Sequence, residues 1–154
     1  MKARIKKEVL KVFSTEIDKA KPLETGGVLV GFFETNIIQI CNASSPGPKA
    51  DHEEIFFQAD PDFVDMFIDM EHANSGGRYS YLGEWHTHPQ IDPEPSEIDL
   101  KSLEEIASTA GSNFTILLII GAVDYNYSVF QEQSILILKY SDDEKYYRLA
   151  LEVC

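Results

Sequence analysis

The chain has 154 residues, of which 44% are hydrophobic and 25% charged, a composition typical of a globular protein. We expect one domain over residues 1–154, since a chain of this length can bury a substantial core. Asp and Glu outnumber Lys and Arg by 26 to 13, giving a net charge of −13. This charge argues against nucleic-acid binding as the main task, because phosphate backbones repel an acidic surface.

Hydropathy and cysteine usage favour a cytoplasmic protein. No apolar run is long enough to span a membrane, so we expect no membrane interaction. The basic segment at residues 1–7 leads into an amphipathic pattern, whereas a secretory signal would need a continuous apolar stretch there. Cys41 and Cys154 have neither CxxC spacing nor a disulfide framework, which fits a reducing compartment.

The first third of the chain predicts a helix followed by two strands. Apolar residues recur at helical spacing over residues 5–20, and Pro22 ends the helix. Residues 27–33 form a short apolar strand, and residues 36–41 are its antiparallel neighbour. The turn-rich segment 44–49 is expected to be a loop.

The middle of the chain predicts a strand and a second helix. The strand covers residues 54–58. Asp60 is the expected N-cap of the helix, Pro61 is its first residue, and the glycines at 76–77 end it. The side chains expected on the buried face of this helix are Phe63, Phe67 and Met70.

The second half predicts a strand, a helix and four further strands. A strand at residues 79–86 precedes a helix that begins at Ser96 and ends near Gly111. Residues 114–120 have no polar break beyond Thr115, which indicates a central strand covered on both faces. The last three strands are expected at residues 127–130, 135–140 and 146–153.

This order of elements predicts a mixed α/β fold. Helices interleave with strands, but too many connections are antiparallel for a doubly wound sheet. We therefore expect a single mixed, mostly antiparallel β-sheet flanked by about three helices.

The segment His86-Thr-His88 lies at the carboxyl end of a predicted strand. Alternate residues of a strand project to the same face, so the two imidazoles can chelate one metal ion. Asp99 follows after a loop that contains Pro89, Pro93 and Pro95, and its carboxylate can supply a third ligand.

Three protein ligands and one open position are typical of a catalytic zinc site, so we expect one Zn²⁺ per chain at His86, His88 and Asp99. An open site lowers the pKa of bound water toward neutrality and so serves hydrolysis. Two His and one carboxylate also suit non-haem iron. The helices do not fit the all-β fold of such oxygenases, and this ligand order is unusual for them.

Two further roles have candidates. Ser96 can donate a hydrogen bond to an oxyanion, or it can serve only as a helix N-cap in a capping box with Asp99. If Asp99 binds a metal, we expect the capping box to be half used, with the Asp99 side chain no longer bonded to the Ser96 backbone. A proton-accepting carboxylate is also required, and the residues alone leave four choices open. These are Glu24, Glu84, Glu94 and Glu97.

The motif His-x-His, seven residues, Ser-x-x-Asp resembles the JAMM signature of the MPN-type metalloproteases. The upstream segment Glu24-Thr-Gly-Gly-Val-Leu-Val-Gly31 is similar to that family's upstream motif. Tyr81-Leu-Gly-Glu-Trp-His-Thr-His-Pro89 is similar to its prokaryotic JAB branch. The resemblance extends over roughly residues 5–140 and implies the JAMM/cytidine-deaminase-like architecture.

The resemblance implies zinc at His86, His88 and Asp99, Glu24 as the general acid/base, and Ser96 as support for the oxyanion. It implies cleavage of an amide or isopeptide bond after the C-terminal tail of a ubiquitin-like protein, the tail lying against a sheet edge by strand addition. Every ligand position is filled, which is unlike the inactive scaffold members. The long insertions with which eukaryotic members grip ubiquitin are absent.

Gly47-Pro48-Lys-Ala50 and Gly83-Glu-Trp-His-Thr-His88 are similar to the deconjugases of CBASS anti-phage operons. That similarity implies removal of a nucleotidyltransferase, a cyclic-nucleotide synthase, from a ubiquitin-transfer-like partner. Hydrolysis of a sulfur-carrier-protein adduct of cysteine is the alternative within the family. A non-catalytic binding module is the alternative outside enzyme classes, and it predicts no metal requirement.

Overall fold

The computed structural model of the protein describes residues 1–53, 57–88, 93–124 and 126–154. These ranges contain ten strands and four helices. In chain order the elements are β1 (Lys2–Ile5), α1 (Val9–Ala20), β2 (Gly26–Glu34), β3 (Ile37–Ala43), β4 (Asp51–His52), β5 (Phe57–Gln58), α2 (Pro61–Asn74), β6 (Ser80–Thr87), α3 (Glu97–Thr109), β7 (Phe114–Ile120), α4 (Ser128–Glu132), β8 (Ser134–Tyr140), β9 (Tyr146–Leu149) and β10 (Leu151–Val153).

Eight of these strands form one mixed sheet in the order β10-β1-β3-β2-β6-β7-β8-β9. The pairs β1/β10, β1/β3 and β6/β7 are parallel, and the other four pairs are antiparallel. Strands β4 and β5 form a separate two-stranded sheet. The predicted mixed, mostly antiparallel sheet with flanking helices is therefore confirmed, with four helices in the described ranges where about three were expected.

Helices α1 and α4 pack on one face of the large sheet. Phe13 of α1 is fully buried, with its ring 4.7 Å from that of Trp85 and 6.0 Å from that of Phe130. Helix α3 covers the opposite face, where Leu103 packs against Leu117. Strand β7 is therefore buried on both faces, as the apolar run at residues 114–120 predicts.

The two outer strands of the sheet are consecutive in the chain. Strand β9 pairs with β8 at one edge, and β10 pairs with β1 at the other, yet only Ala150 separates β9 from β10. Because consecutive Cα atoms are about 3.8 Å apart, the two edges must come close together here. The sheet therefore curls around α1, and the single strand expected at 146–153 divides between its edges.

The first strand and the fourth helix differ from prediction. Ile5 matches the helical period of the residues after it, but it pairs with Ile40 in β1, so the helix begins at Val9. The strand expected at residues 127–130 is wrong. Tyr127 has a positive φ of 65°, and the segment after it forms the short helix α4, which buries Phe130.

Helix α2 begins as predicted but buries fewer side chains. Asp60 accepts a hydrogen bond from the Phe63 backbone N–H at 3.4 Å, and Pro61 is the first helical residue. Val64 is the buried residue of the helix, whereas Met70 is 55% exposed, so its assignment to the buried face was wrong. An aromatic stripe predicts a buried face only where another element covers it.

Two sequence predictions fall partly outside the described residues. The strand expected at 54–58 is seen only as Phe57–Gln58, which pairs with β4, and residues 54–56 lie outside. Pro89 also lies outside them. Within the described ranges, no helix combines the length and apolarity needed to cross a membrane.

Candidate metal centre

His86 lies near the carboxyl end of β6, which runs between β2 and β7 in the middle of the sheet, and His88 directly follows the last residue of that strand. Their rings are neighbours, with centroids 5.2 Å apart and planes inclined by 33°. Trp85 and Thr87 are buried and alternate with the histidines along the strand. The alternation that the sequence predicts therefore brings both imidazoles to the same face.

Asp99 reaches the histidines from the first turn of α3. Its Oδ1 lies 3.3 Å from His86 Nε2, and its Oδ2 lies 3.2 Å from His88 Nε2. Zinc–ligand bonds of about 2.1 Å in a tetrahedral arrangement separate ligand atoms by about 3.4 Å. Each of the two distances from Asp99 to an imidazole nitrogen is therefore close to that separation, although the two distances involve different carboxylate oxygens.

His86 Nε2 is buried and forms no hydrogen bond with any described residue, although a carboxylate oxygen lies 3.3 Å away. A buried ring nitrogen without a partner is costly. A metal ion would supply that partner, because a neutral imidazole binds metals through an unprotonated nitrogen. This orphaned nitrogen indicates that the group of donors fits a metal.

Glu24 lies two residues before the start of β2 and is only 6% exposed. Its Oε1 is 3.8 Å from His88 Nε2. One ligand atom each from Glu24, His86 and His88 lie within 4.8 Å of one another, so these three residues form a possible metal site. Two candidate sets of three donors therefore share the histidines, one completed by Asp99 and the other by Glu24.

The backbone around Glu24 is held by hydrogen bonds from two directions. The Glu24 N–H donates to the Glu53 carbonyl at 2.8 Å, and His52 Nδ1 lies 2.9 Å from the Glu24 carbonyl oxygen. On the other side, the Thr25 N–H donates to Thr87 Oγ1 at 3.0 Å, and the Thr87 N–H donates to the Thr25 carbonyl at 2.9 Å. Thr87, which lies between the two histidines, thus holds the backbone of Thr25, the residue that follows Glu24.

The pKa values of Glu24 and Asp99 are shifted in opposite directions. Burial raises the pKa of Glu24, and the nearby His86 and His88 only partly offset this effect. Burial also acts to raise the pKa of Asp99, but the adjacent imidazoles of His86 and His88 and the hydrogen bond from the Ser96 backbone outweigh it and leave the pKa well below its usual range. These shifts favour the ionised form of Asp99 and make Glu24 easier to protonate than a free glutamic acid.

Ser96 is the N-cap of α3 and forms a complete capping box. Its Oγ accepts from the Asp99 N–H at 3.1 Å, and Asp99 Oδ2 accepts from the Ser96 N–H at 2.9 Å. We expected metal binding by Asp99 to leave this box half used, and in the structure both of its hydrogen bonds are present. A carboxylate has about four lone-pair sites, so Oδ2 can close the box while Oδ1 still faces His86.

The other acidic candidates are placed differently. Glu94 is an exposed residue that pairs with Arg148, and Glu97 is exposed at the start of α3. Glu84 projects to the same face of β6 as His86 but lies two residues before it. Among the four open choices for a proton acceptor, Glu24 is buried and has its carboxylate 3.8 Å from His88 Nε2.

Sequence reasoning missed the residues that bring the two strands together. A Cβ on Gly26 would lie 2.2 Å from the Trp85 carbonyl oxygen and 2.9 Å from His86 Cβ, so only glycine fits beside the first histidine. Thr87 was assigned no role from the sequence, although a polar residue on the buried side of a strand signals a required hydrogen bond.

A family model described as prokaryotic homologs of the JAB domain matches residues 6–135. The chain is 28% identical to a CD-NTase/cGAS isopeptidase from Vibrio cholerae over 123 residues, which is 75% of this chain and 73% of that protein. It is 32% identical to a protein of the same name from Escherichia coli over 101 residues, which is 66% of this chain and 64% of that protein.

A probable metalloprotease from Sinorhizobium fredii is 30% identical over 104 residues, 66% of this chain and 63% of that protein. The match therefore spans less than two thirds of the length of the second and third of these relatives. A solution structure of a protein from Desulfitobacterium hafniense superposes with a TM-score of 0.68 over 99% of this chain and 92% of that chain. At 16% sequence identity it bears on the fold alone.

The family model extends over most of the chain, and the motif at His86 to Asp99 lies inside the matched region. The resemblance stated from the sequence is therefore confirmed at the level of the family. The chain belongs to the prokaryotic JAB-domain family of JAMM-type metalloproteases.

Proposed function

We propose that the protein is a zinc-dependent isopeptidase that hydrolyses the amide or isopeptide bond at the C-terminus of a ubiquitin-like protein or its conjugate. The conjugate we favour carries a cyclic-nucleotide synthase, because relatives at about 30% identity are named CD-NTase/cGAS isopeptidases. The observation that carries the proposal is the convergence of two imidazoles and two carboxylates of opposite character at the end of one strand.

We assign His86, His88 and Asp99 as the ligands of one zinc ion per chain. Asp99 approaches both imidazoles more closely than Glu24 approaches His88, and its low pKa keeps it ionised. When bound, zinc lowers the pKa of a coordinated water toward neutrality and polarises a carbonyl group.

Glu24 is the general base and then the general acid in this proposal. Its carboxylate takes a proton from the attacking water and delivers it to the leaving nitrogen, which departs as an amine. Burial suits the role, since a raised pKa brings the carboxyl closer to the pH at which proton transfer in both directions is effective. The hydrogen bonds that hold the Glu24 backbone keep its carboxylate in reach.

Ser96 supports the carbonyl oxygen of the scissile bond. Its Oγ accepts from the Asp99 N–H, which leaves the hydroxyl proton available as a donor. The side chain is exposed, so that proton can reach a substrate. Capping of α3 and oxyanion support therefore use different parts of one hydroxyl group.

An extended tail could add to the small two-stranded sheet. Strand β6 is central in the large sheet, far in strand order from the outer strands β9 and β10. Strand β5 is an edge strand, and its residues Phe57 and Gln58 line the cavity next to Glu24. Backbone pairing of this kind positions a substrate through its main chain.

The test uses the full-length protein and two substrates. One is a cyclic-nucleotide synthase joined through its C-terminus to a reporter, and the other is a sulfur-carrier protein joined to cysteine. We expect cleavage of the first substrate that a chelator abolishes and added zinc restores. Glu24→Gln should retain about one zinc per chain and lose turnover.

The outcomes separate the alternatives. Preferential cleavage of the cysteine adduct would move the assignment to the sulfur-carrier reaction. Full activity after metal removal would contradict a metalloprotease, and binding of either substrate without turnover at any metal loading would favour a binding module. Activity restored by iron(II) alone would overturn the assignment of zinc.

A further inference from the structure

A cavity of about 440 Å³ extends from the candidate metal centre between α2 and α3. Strands β2, β6 and β7 form its floor, the two helices form its walls, and Glu24, His86 and Asp99 lie at one end. Much of the lining is apolar, including Val28, Phe57, Val64, Leu103, Ile106 and Leu117.

Glu84 lies on the floor of this cavity. It precedes His86 by two residues on β6, so the two side chains share a face and are roughly 6.6 Å apart along the strand. It is partly buried, and no hydrogen bond or ion pair joins it to another residue in the described part of the chain. Its carboxylate is therefore available to a group that enters the cavity.

Thr115 on the adjacent strand β7 is a second unpartnered polar group in the lining. It is 1% exposed, and its Oγ1 makes no hydrogen bond within the described ranges. Glu84 pairs with Leu117 in the parallel strands β6 and β7. Thr115 precedes Leu117 by two residues, so its side chain projects to the same face of the sheet as Glu84. Two hydrogen-bonding groups without partners thus lie close together in one cavity.

The negative charge of the cavity lining favours a positively charged ligand. Five carboxyl groups line the cavity, and its described lining contains no Lys or Arg. An ammonium or guanidinium group would be attracted by this potential, whereas an acidic group would be repelled. The apolar walls suit the aliphatic stem of a long basic side chain.

We infer that this cavity is a specificity pocket for a lysine or arginine side chain of the substrate. Glu84 accepts hydrogen bonds from the charged end, and Thr115 adds a neutral acceptor beside it. The aliphatic stem lies between Val28 and the α3 residues Leu103 and Ile106. The identity of the occupant rests on the proposed function, because the basic side chain belongs to the conjugate that is cleaved.

The test measures binding without turnover. Pentylamine, which carries an ammonium group on a lysine-like chain, and pentanol, its uncharged counterpart, are each titrated into the ¹⁵N-labelled holoprotein. We expect pentylamine to shift amide resonances of β6 and α3 and to bind about tenfold more tightly than pentanol, since a charge-assisted hydrogen bond forms. Equal affinity of the two compounds in the wild-type protein would overturn the inference.

Two variants assign the preference to one carboxylate. Glu84→Gln should abolish the preference for pentylamine, while Glu8→Gln, which removes the same charge from an exposed position outside the cavity lining, should retain most of it. Equal effects of both variants would show that overall charge is responsible and would refute the assignment to Glu84.

The inference and the proposed function fail in different ways. The inactive variant Glu24→Gln should bind pentylamine like the wild-type protein, so this measurement does not depend on catalysis. If reporter substrates are cleaved equally well with lysine, arginine or glutamine at every position of their tails, the pocket has no role in specificity even though the enzyme is active.

Discussion

Replacing Thr87 by Val should damage catalysis without removing the metal. Thr87 is buried between the two histidines, and its Oγ1 accepts the Thr25 N–H at 3.0 Å. Valine has a similar shape but no hydroxyl group, so the fully buried Thr25 N–H loses its partner. A stranded buried donor costs about 1–3 kcal/mol.

This cost has two measurable consequences. For a domain of this size, each kcal/mol lowers Tm by roughly 2–4 °C, so Thr87→Val should lose about 2–12 °C. Thr25 directly follows Glu24, and a displacement of the reacting groups by 1 Å can cost roughly 100-fold in rate. We expect kcat to fall on the order of 10- to 100-fold while zinc content stays near one per chain.

Thr87→Ser is the matched control, because it keeps the hydroxyl oxygen and removes only a methyl group. Its kcat and zinc content should remain close to those of the wild-type protein. The assays are differential scanning fluorimetry, elemental analysis and cleavage of the reporter conjugate. Equal loss of kcat in both variants, or wild-type kcat and Tm in Thr87→Val, would refute a positioning role for the hydroxyl group.

Four further substitutions test other parts of the site. His86→Ala and Asp99→Ala should each reduce bound zinc to well below one per chain by elemental analysis; retention of stoichiometric zinc by Asp99→Ala would favour the set completed by Glu24. Because the pKa of Glu24 is raised in the folded state, ionisation of this carboxyl lowers the stability of the fold as pH rises through that pKa. Metal-free Glu24→Gln should therefore have a higher Tm than metal-free wild type at pH 7 and an equal Tm near pH 3. Gly26→Ala should unfold at a markedly lower temperature, since its Cβ would lie 2.2 Å from the Trp85 carbonyl oxygen, and an unchanged Tm would show that the strands can separate there.

The positions of the ligand side chains were predictable because strand alternation and helix capping are local rules. His86 and His88 share a face because a strand has a period of two, and Asp99 occupies the first turn of α3 because Ser96 caps that helix. The roles of Glu24 and Ser96 remain proposals. Residues alone could not select Glu24, since its proximity to His88 depends on the pairing of β2 with β6.

The errors have physical causes in tertiary structure. Ile5 belongs to a strand of four residues that exists only because β10 and β3 pair with it on either side. Tyr127 introduces a left-handed backbone conformation that ends any extended segment, and no local pattern of aromatic residues indicates it. Met70 has the correct helical phase, but no described element covers it.

The division of residues 146–153 between the two edges of the sheet affects the order in which the protein can fold during synthesis. Ala3 in β1 pairs with Leu151 in β10, with almost the whole described chain between them. Such distant partners make closure slow, because a long loop must be ordered before the contact forms. Until β9 and β10 leave the ribosome, β8 and β1 are both outer strands with exposed backbone groups, so the nascent chain depends on its final strands for protection against aggregation.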